Sequence, residues 1–166
     1  MGMPRSTRPS RPLQTSWAEL ADDLRVALLA AEVEPVFSPL GDERYADGVE
    51  TIYEGYLAHY GTSRAFRPAD GDEALLLGDS LYAAGLARIA AVGTADAVED
   101  VSLLLARCSE LRAEGRDGDG GVWAASIAHL GAHPLAREAE PEALAREAAG
   151  AAAVDRALAA HAERFR

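Results

Sequence analysis

The sequence predicts an all-α fold: a single bundle of about six helices packed around one buried helix over residues 73–92. Three observations predict it. Alanine dominates the composition and β-branched residues are few, a balance that favours helix over strand. Apolar residues recur at helical spacing along most of the chain. Residues 73–92 are apolar almost all round, which marks a helix enclosed by its neighbours. A chain of 166 residues with 49% hydrophobic residues suits one domain whose core needs no covalent staple.

The elements follow in order. Residues 1–14 carry three prolines with Arg5, Arg8 and Arg11 and no acid, and are expected to form a disordered basic arm ahead of an all-α domain over residues 15–166. The arm has no apolar stretch, so no secretory signal is expected. Ser16 and Glu19 have the spacing of a capping box, and Trp17, Leu20, Leu24, Ala27, Leu28 and Ala31 continue a first helix from there. Pro35 and Pro39 impose a loop. A second helix spans about residues 42–60, with Tyr45, Val49, Ile52, Tyr53, Tyr56, Leu57 and Tyr60 on one face and Gly61 as its stop. A loop over residues 61–70 precedes the third helix, which Asp70 and Glu73 open with capping geometry. In that helix Gly78 and Gly85 lie seven apart on one side, where they let a neighbouring helix come close. Thr94 caps a fourth helix carrying Val98, Val101, Leu104, Leu105, Cys108 and Leu111. The run GRDGDGG at residues 115–121 reads as a flexible turn. A fifth helix covers about residues 122–130, and a sixth runs from Pro141, a favourable first-turn proline, to near Arg164.

Charge and cysteine usage exclude several functions. The net charge is −11, and without the first twelve residues 13 arginines face 27 acids. Such a body repels phosphate backbones, so no nucleic-acid partner is expected. Cys108 is the lone cysteine, which excludes an intramolecular disulfide and a cysteine metal cluster and suits the cytoplasm. Asp79 and Arg88 interrupt the longest apolar stretch, which reads as a core helix and not as a transmembrane span.

Asp79 stands out as a candidate site residue. It lies mid-helix between Leu75, Tyr82 and Leu86, where an unpaired buried carboxylate is expensive. Arg64 and Arg67, or a tyrosine of the second helix, are its expected partners. A satisfied structural carboxylate is the bland reading and a ligand contact the functional one. The tyrosine face reads likewise as a core edge or as the wall of a ligand cavity. Candidate ligand-binding residues are therefore Tyr53, Tyr56, Tyr60, Arg64, Asp79, Tyr82 and Glu110. His129 and His133 have metal-ligand spacing, but Gly131 and Pro134 end the helix between them and no carboxylate completes a set, so no metal site is expected. His59 suits a helix C-terminus, and His161 reads as amphipathic surface. The spacing of GRDGDGG fails an EF-hand at Gly121 and Val122. No phosphate-binding loop, dinucleotide fingerprint or nucleophile elbow occurs.

The string LLLGDSLYAAGLARIAAVG, residues 75–93, resembles a segment of the trans-isoprenyl diphosphate synthases. In that family a similar leucine-rich Gly-Asp helix follows an arginine-bearing loop, and here Arg64 and Arg67 stand in such a loop. The stretch RCSELRAEGRDGD is similar to the end of the family's next helix, with Arg116 where glutamine would stand. The resemblance covers about residues 49–120. It implies a helical isoprenoid-synthase fold. The family's Asp-Asp-x-x-Asp motifs, which hold magnesium against a prenyl diphosphate, are missing: Asp22-Asp23 is followed by Leu24, Arg25 and Val26.

Three functions follow. The first is a non-catalytic isoprenoid-synthase-like protein that needs no cofactor. It would bind an apolar or isoprenoid ligand, or act as a small or regulatory subunit forming homo- or hetero-oligomers through its helices. The second is a magnesium-dependent enzyme on a prenyl diphosphate or other isoprenoid, using scattered acids such as Asp79 and Glu110. The third is an acidic helical adaptor without a pocket.

Overall fold

The computed structural model describes residues 16–166, so the basic arm expected over residues 1–14 lies outside the described residues. Seven α-helices and one two-stranded sheet occur among them: α1 (Trp17–Leu24), β1 (Ala27–Leu28), α2 (Ala46–Tyr60), β2 (Phe66–Arg67), α3 (Gly71–Val92), α4 (Ala95–Ala113), α5 (Asp119–Ala128), α6 (Pro141–Ala149) and α7 (Ala151–Ala162). The all-α class expected from composition and periodicity holds.

Several boundaries differ from expectation. Helix α1 begins at its capping box but stops at Leu24, because Arg25 turns left-handed at φ 58°. Ala27 and Leu28, expected on that helix, instead pair antiparallel with Arg67 and Phe66. The expected sixth helix is two helices, divided at Gly150, whose φ of 85° no helix accommodates. Helix α5 starts earlier than expected, so Asp119, Gly120 and Gly121 belong to its first turn and not to a flexible turn.

The central helix is α2 and not α3. Every residue from Gly48 to Leu57 is buried, including Glu50 and Glu54. Helix α3, expected to be enclosed, buries only Leu77, Gly78, Leu81, Gly85 and Ile89. Leu75 and Leu76 on its other side are 55% and 62% exposed. Its apolarity is spread round the whole circumference, so hydropathy does not reveal which side is covered.

Helices α2 and α3 form an antiparallel hairpin joined through glycines from both sides. A Cβ on Gly85 would lie 2.9 Å from the Gly48 carbonyl oxygen, and one on Gly55 would lie 2.9 Å from that of Gly78. Gly48 and Gly55 are seven apart, as are Gly78 and Gly85, so the two pairs meet in one antiparallel register. The expected close approach therefore occurs, and it is used inside the chain. A large core joins α2 to α4, α5 and α7 through Phe37, Tyr53, Tyr56, Leu104 and Trp123. A smaller one beneath α1 joins Ala21, Val26, Phe66, Leu77 and Leu81.

Candidate functional site

Two acids of α2 organise one end of the hairpin. Glu50 and Glu54 are one turn apart and face the same way. Glu50 Oε1 accepts hydrogen bonds from the backbone N–H groups of Val36, Phe37 and Ser38 at 2.9, 3.1 and 2.9 Å. Glu54 Oε1 accepts from the Ser63 hydroxyl and from the N–H groups of Arg64 and Ala65 at 2.7 and 3.0 Å. Arg64 bridges the two carboxylates: Nη1 donates to Glu50 Oε2 and Nε to Glu54 Oε2, both at 2.9 Å. Its guanidinium lies 4.9 Å from the centre of the Tyr53 ring. Six donors on two carboxylate oxygens, plus a buried arginine, replace the water these groups lose. The acids thereby pin the loops before α2 and after it. Arg64 was expected near Asp79; its partners are instead the two glutamates of the preceding helix.

A second polar cluster lies at the start of α5. Asp119 Oδ2 accepts from the Tyr56 hydroxyl at 2.7 Å, from Arg112 Nε at 3.0 Å and from His161 Nε2 at 3.1 Å. His161 Nδ1 in turn lies 3.0 Å from the Tyr53 hydroxyl. Burial pushes the Asp119 carboxyl upwards, but the bonds from His161, Tyr56 and Arg112 outweigh it and hold it well below the usual carboxylate range. Gly120 lets α7 approach: a Cβ there would sit 3.0 Å from the His161 ring. His161, expected on the surface, is buried because Asp119 and Tyr53 satisfy both ring nitrogens. Neither Asp119 nor His161 was recognisable as a pair, since 42 residues separate them.

The remaining candidates do not converge. Tyr53 and Tyr56 are fully buried, and their rings pack on Trp123, Phe37 and Phe165, so this part of the tyrosine face is filled by side chains. Burial raises both hydroxyls above the ordinary phenol range. Tyr60 is 40% exposed and donates to Ser109 at 3.0 Å. Tyr82 packs its ring on His59, and its buried hydroxyl has no hydrogen-bond partner among the described residues. Asp79, expected on a buried stripe, is exposed on α3, where Oδ1 lies 3.2 Å from His59 Nε2. Glu110 is exposed on α4 and pairs with Arg107 of the same helix. Cys108 is buried, as expected, and burial raises its thiol.

Magnesium does not fit the acids of the hairpin. Glu50 and Glu54 are saturated by Arg64 and backbone donors, Asp47 pairs with Arg88, and Asp79 with His59. His129 and His133 do not face one centre: His129 Nε2 lies 3.1 Å from the Leu144 carbonyl, while His133 Nδ1 lies 3.2 Å from Asp100. Asp96, Glu99 and His133 do bring ligand atoms within 4.8 Å of one another, all at the surface.

The outer side of α3 is apolar and exposed among the described residues. Leu75, Leu76, Ala83, Ala90 and Ala91 are exposed there. Past the first turn, Asp79 is the one exposed charge on this helix. By length and composition α3 is apolar enough to cross a membrane. The chain matches no family model, no curated protein and no solved structure. The likeness to trans-isoprenyl diphosphate synthases therefore rests on the pattern of residues 49–120.

Proposed function

We propose that this protein is a non-catalytic helical subunit that docks a partner helical protein on the outer face of α3. The observation that carries the reading is the exposure of Leu75 and Leu76 on a helix whose opposite face is already packed on α2. Contiguous exposed apolar surface of this kind marks an interaction site. Ala83 and Ala90, which continue the face beyond the leucines, favour a helix as the occupant, since small residues let backbones approach. Asp72 and Glu73 at one end of the face, and Asp79 within it, would repel anionic lipid, which favours protein over membrane. The filled tyrosine face removes support from an apolar ligand held inside the bundle. The enzymatic reading needs carboxylates gathered at one centre, and Asp79 and Glu110 are held on separate helices by His59 and Arg107.

The test is association measured with and without the face. Wild-type protein should form a complex, with itself or with a helical protein retained from native extract, and Leu76→Glu should lose it while keeping the same circular dichroism. Leu76 is already 62% exposed, so a charge there changes stability by roughly 0.5 kcal/mol or less. A monomeric wild type that retains nothing, or a Leu76→Glu variant that associates equally well, sinks the reading.

A further inference from the structure

The segment after β1 leaves a cleft of about 630 Å³ between itself, α1 and the start of the α2–α3 hairpin. That volume lies within the range of small-molecule sites, roughly 300–1,000 Å³. Its walls are partly apolar, from Trp17, Val33 and Pro35, and three carboxylates line it, those of Glu32, Asp47 and Glu50.

The hydrogen-bonding character of the lining is one-sided. Trp17 Nε1 donates to Thr51 Oγ1 at 3.2 Å, so the indole's one donor is engaged. Arg88 also donates to Thr51, and its Nε lies 3.3 Å from Asp47. Thr51 passes its own proton to the Asp47 carbonyl at 2.7 Å. Arg88 therefore answers Asp47, as Arg64 answers Glu50 from behind the wall. Glu32 adds an exposed carboxylate that forms no ion pair among the described residues, in a chain of net charge −11. What the cleft presents is acceptors, an excess of negative charge and an aromatic ring. A ligand suited to it brings N–H donors, positive charge and an apolar body; an anion meets acceptors and repulsion.

We propose that the cleft beneath Trp17 binds a small organic cation, an amine or guanidinium carried on an apolar body. The ammonium group sits between Glu32 and Asp47, where the Trp17 ring adds a cation–π attraction. The apolar body rests on Val33 and Pro35. The site lies away from the outer face of α3, so it stands or falls independently of the subunit reading.

The experiment is a titration of the full chain with benzylammonium, with benzyl alcohol and benzoate as neutral and anionic counterparts. The probe is the indole N–H resonance of Trp17 by NMR, assigned with Trp17→Phe. The fully buried Trp123 indole serves as an internal control for the fold. Benzylammonium should move the Trp17 signal saturably, more weakly as salt rises. Glu32→Gln, a change at an exposed position, should raise its dissociation constant by about 2- to 5-fold, the effect of one exposed charge pair. The proposal is overturned if benzoate or benzyl alcohol binds as tightly, if Glu32→Gln leaves the constant unchanged, or if no saturable shift of Trp17 occurs.

Discussion

Helices α2 and α3 are the two arms of one hairpin, and their sequences and surroundings run opposite ways. Helix α2 carries Asp47, Glu50, Glu54 and His59 among its apolar residues, the pattern of a half-exposed helix. Yet ten consecutive residues of it are buried. Helix α3 is apolar nearly throughout, the pattern of an enclosed helix, yet one whole side is uncovered. Hydropathy measures what burial would gain if it happened. Whether it happens depends on neighbours, and α2 has them on every side because its acids find donors there. Two buried carboxylates with six N–H or O–H donors and one arginine are compatible with a core; an apolar face with no partner among the described residues remains exposed.

The sharpest way to break this comparison is to remove one of those acids. Glu54 is fully buried, and Glu54→Ala leaves the Arg64 guanidinium half-paired and three donors without an acceptor. Breaking a buried pair by deleting one partner costs about 3–5 kcal/mol. Urea unfolding should show a loss of that size in midpoint stability with an unchanged slope. A loss below about 1 kcal/mol, the scale of an exposed pair, would mean that Glu54 is hydrated and that α2 is no more central than α3.

A smaller effect separates two adjacent leucines. Leu77 is fully buried against Phe66 and Ala21, while Leu76 beside it is 62% exposed. Leu77→Ala should cost about 2–5 kcal/mol, through lost transfer energy and a residual cavity. Leu76→Ala should change stability by about 0.5 kcal/mol or less. The ratio of the two, read from thermal or urea unfolding of the isolated protein, measures how one-sided α3 is. Equal losses would show that both sides of α3 are packed in solution and would remove the free face on which the subunit reading depends.

Much of the fold was legible because it is written locally. Ser16 and Glu19, Thr94, Gly61 and Pro141 act on their immediate neighbours, and the helices they delimit begin or end there. The glycine spacing of α3 correctly announced a close neighbour. Long-range pairing was not legible. Glu50 and Glu54 looked like ordinary polar positions until Arg64 and the loop before α2 were folded onto them. Asp119 and His161 belong to elements that meet only through the large core. The turn at Arg25 was equally hidden, since a non-glycine residue gives little sign of a left-handed backbone. Asp79 lies on an apolar stripe, which in sequence reads as a buried one, but on α3 both Leu75 and Asp79 of that stripe are exposed.

Asp79 therefore supplies the smallest expected effect and a direct check on the face of α3. Its carboxylate is 69% exposed, and its one partner among the described residues is the ring of His59, 3.2 Å away. The pair stands between solvent and the close contact of His59 with Gly78, so it has water on one side and backbone on the other. Exposed ion pairs contribute about 0–1 kcal/mol, and Asp79→Asn keeps an oxygen within reach of the ring. Its stability should fall by no more than about 1 kcal/mol. Removing the one exposed charge from the middle of an apolar face should, in contrast, strengthen whatever docks there, because that charge must lose water on binding. A loss of several kcal/mol in the isolated protein would place Asp79 in a buried network after all. Weaker association in Asp79→Asn would mean instead that the partner reads this carboxylate directly, through a cation of its own set against α3.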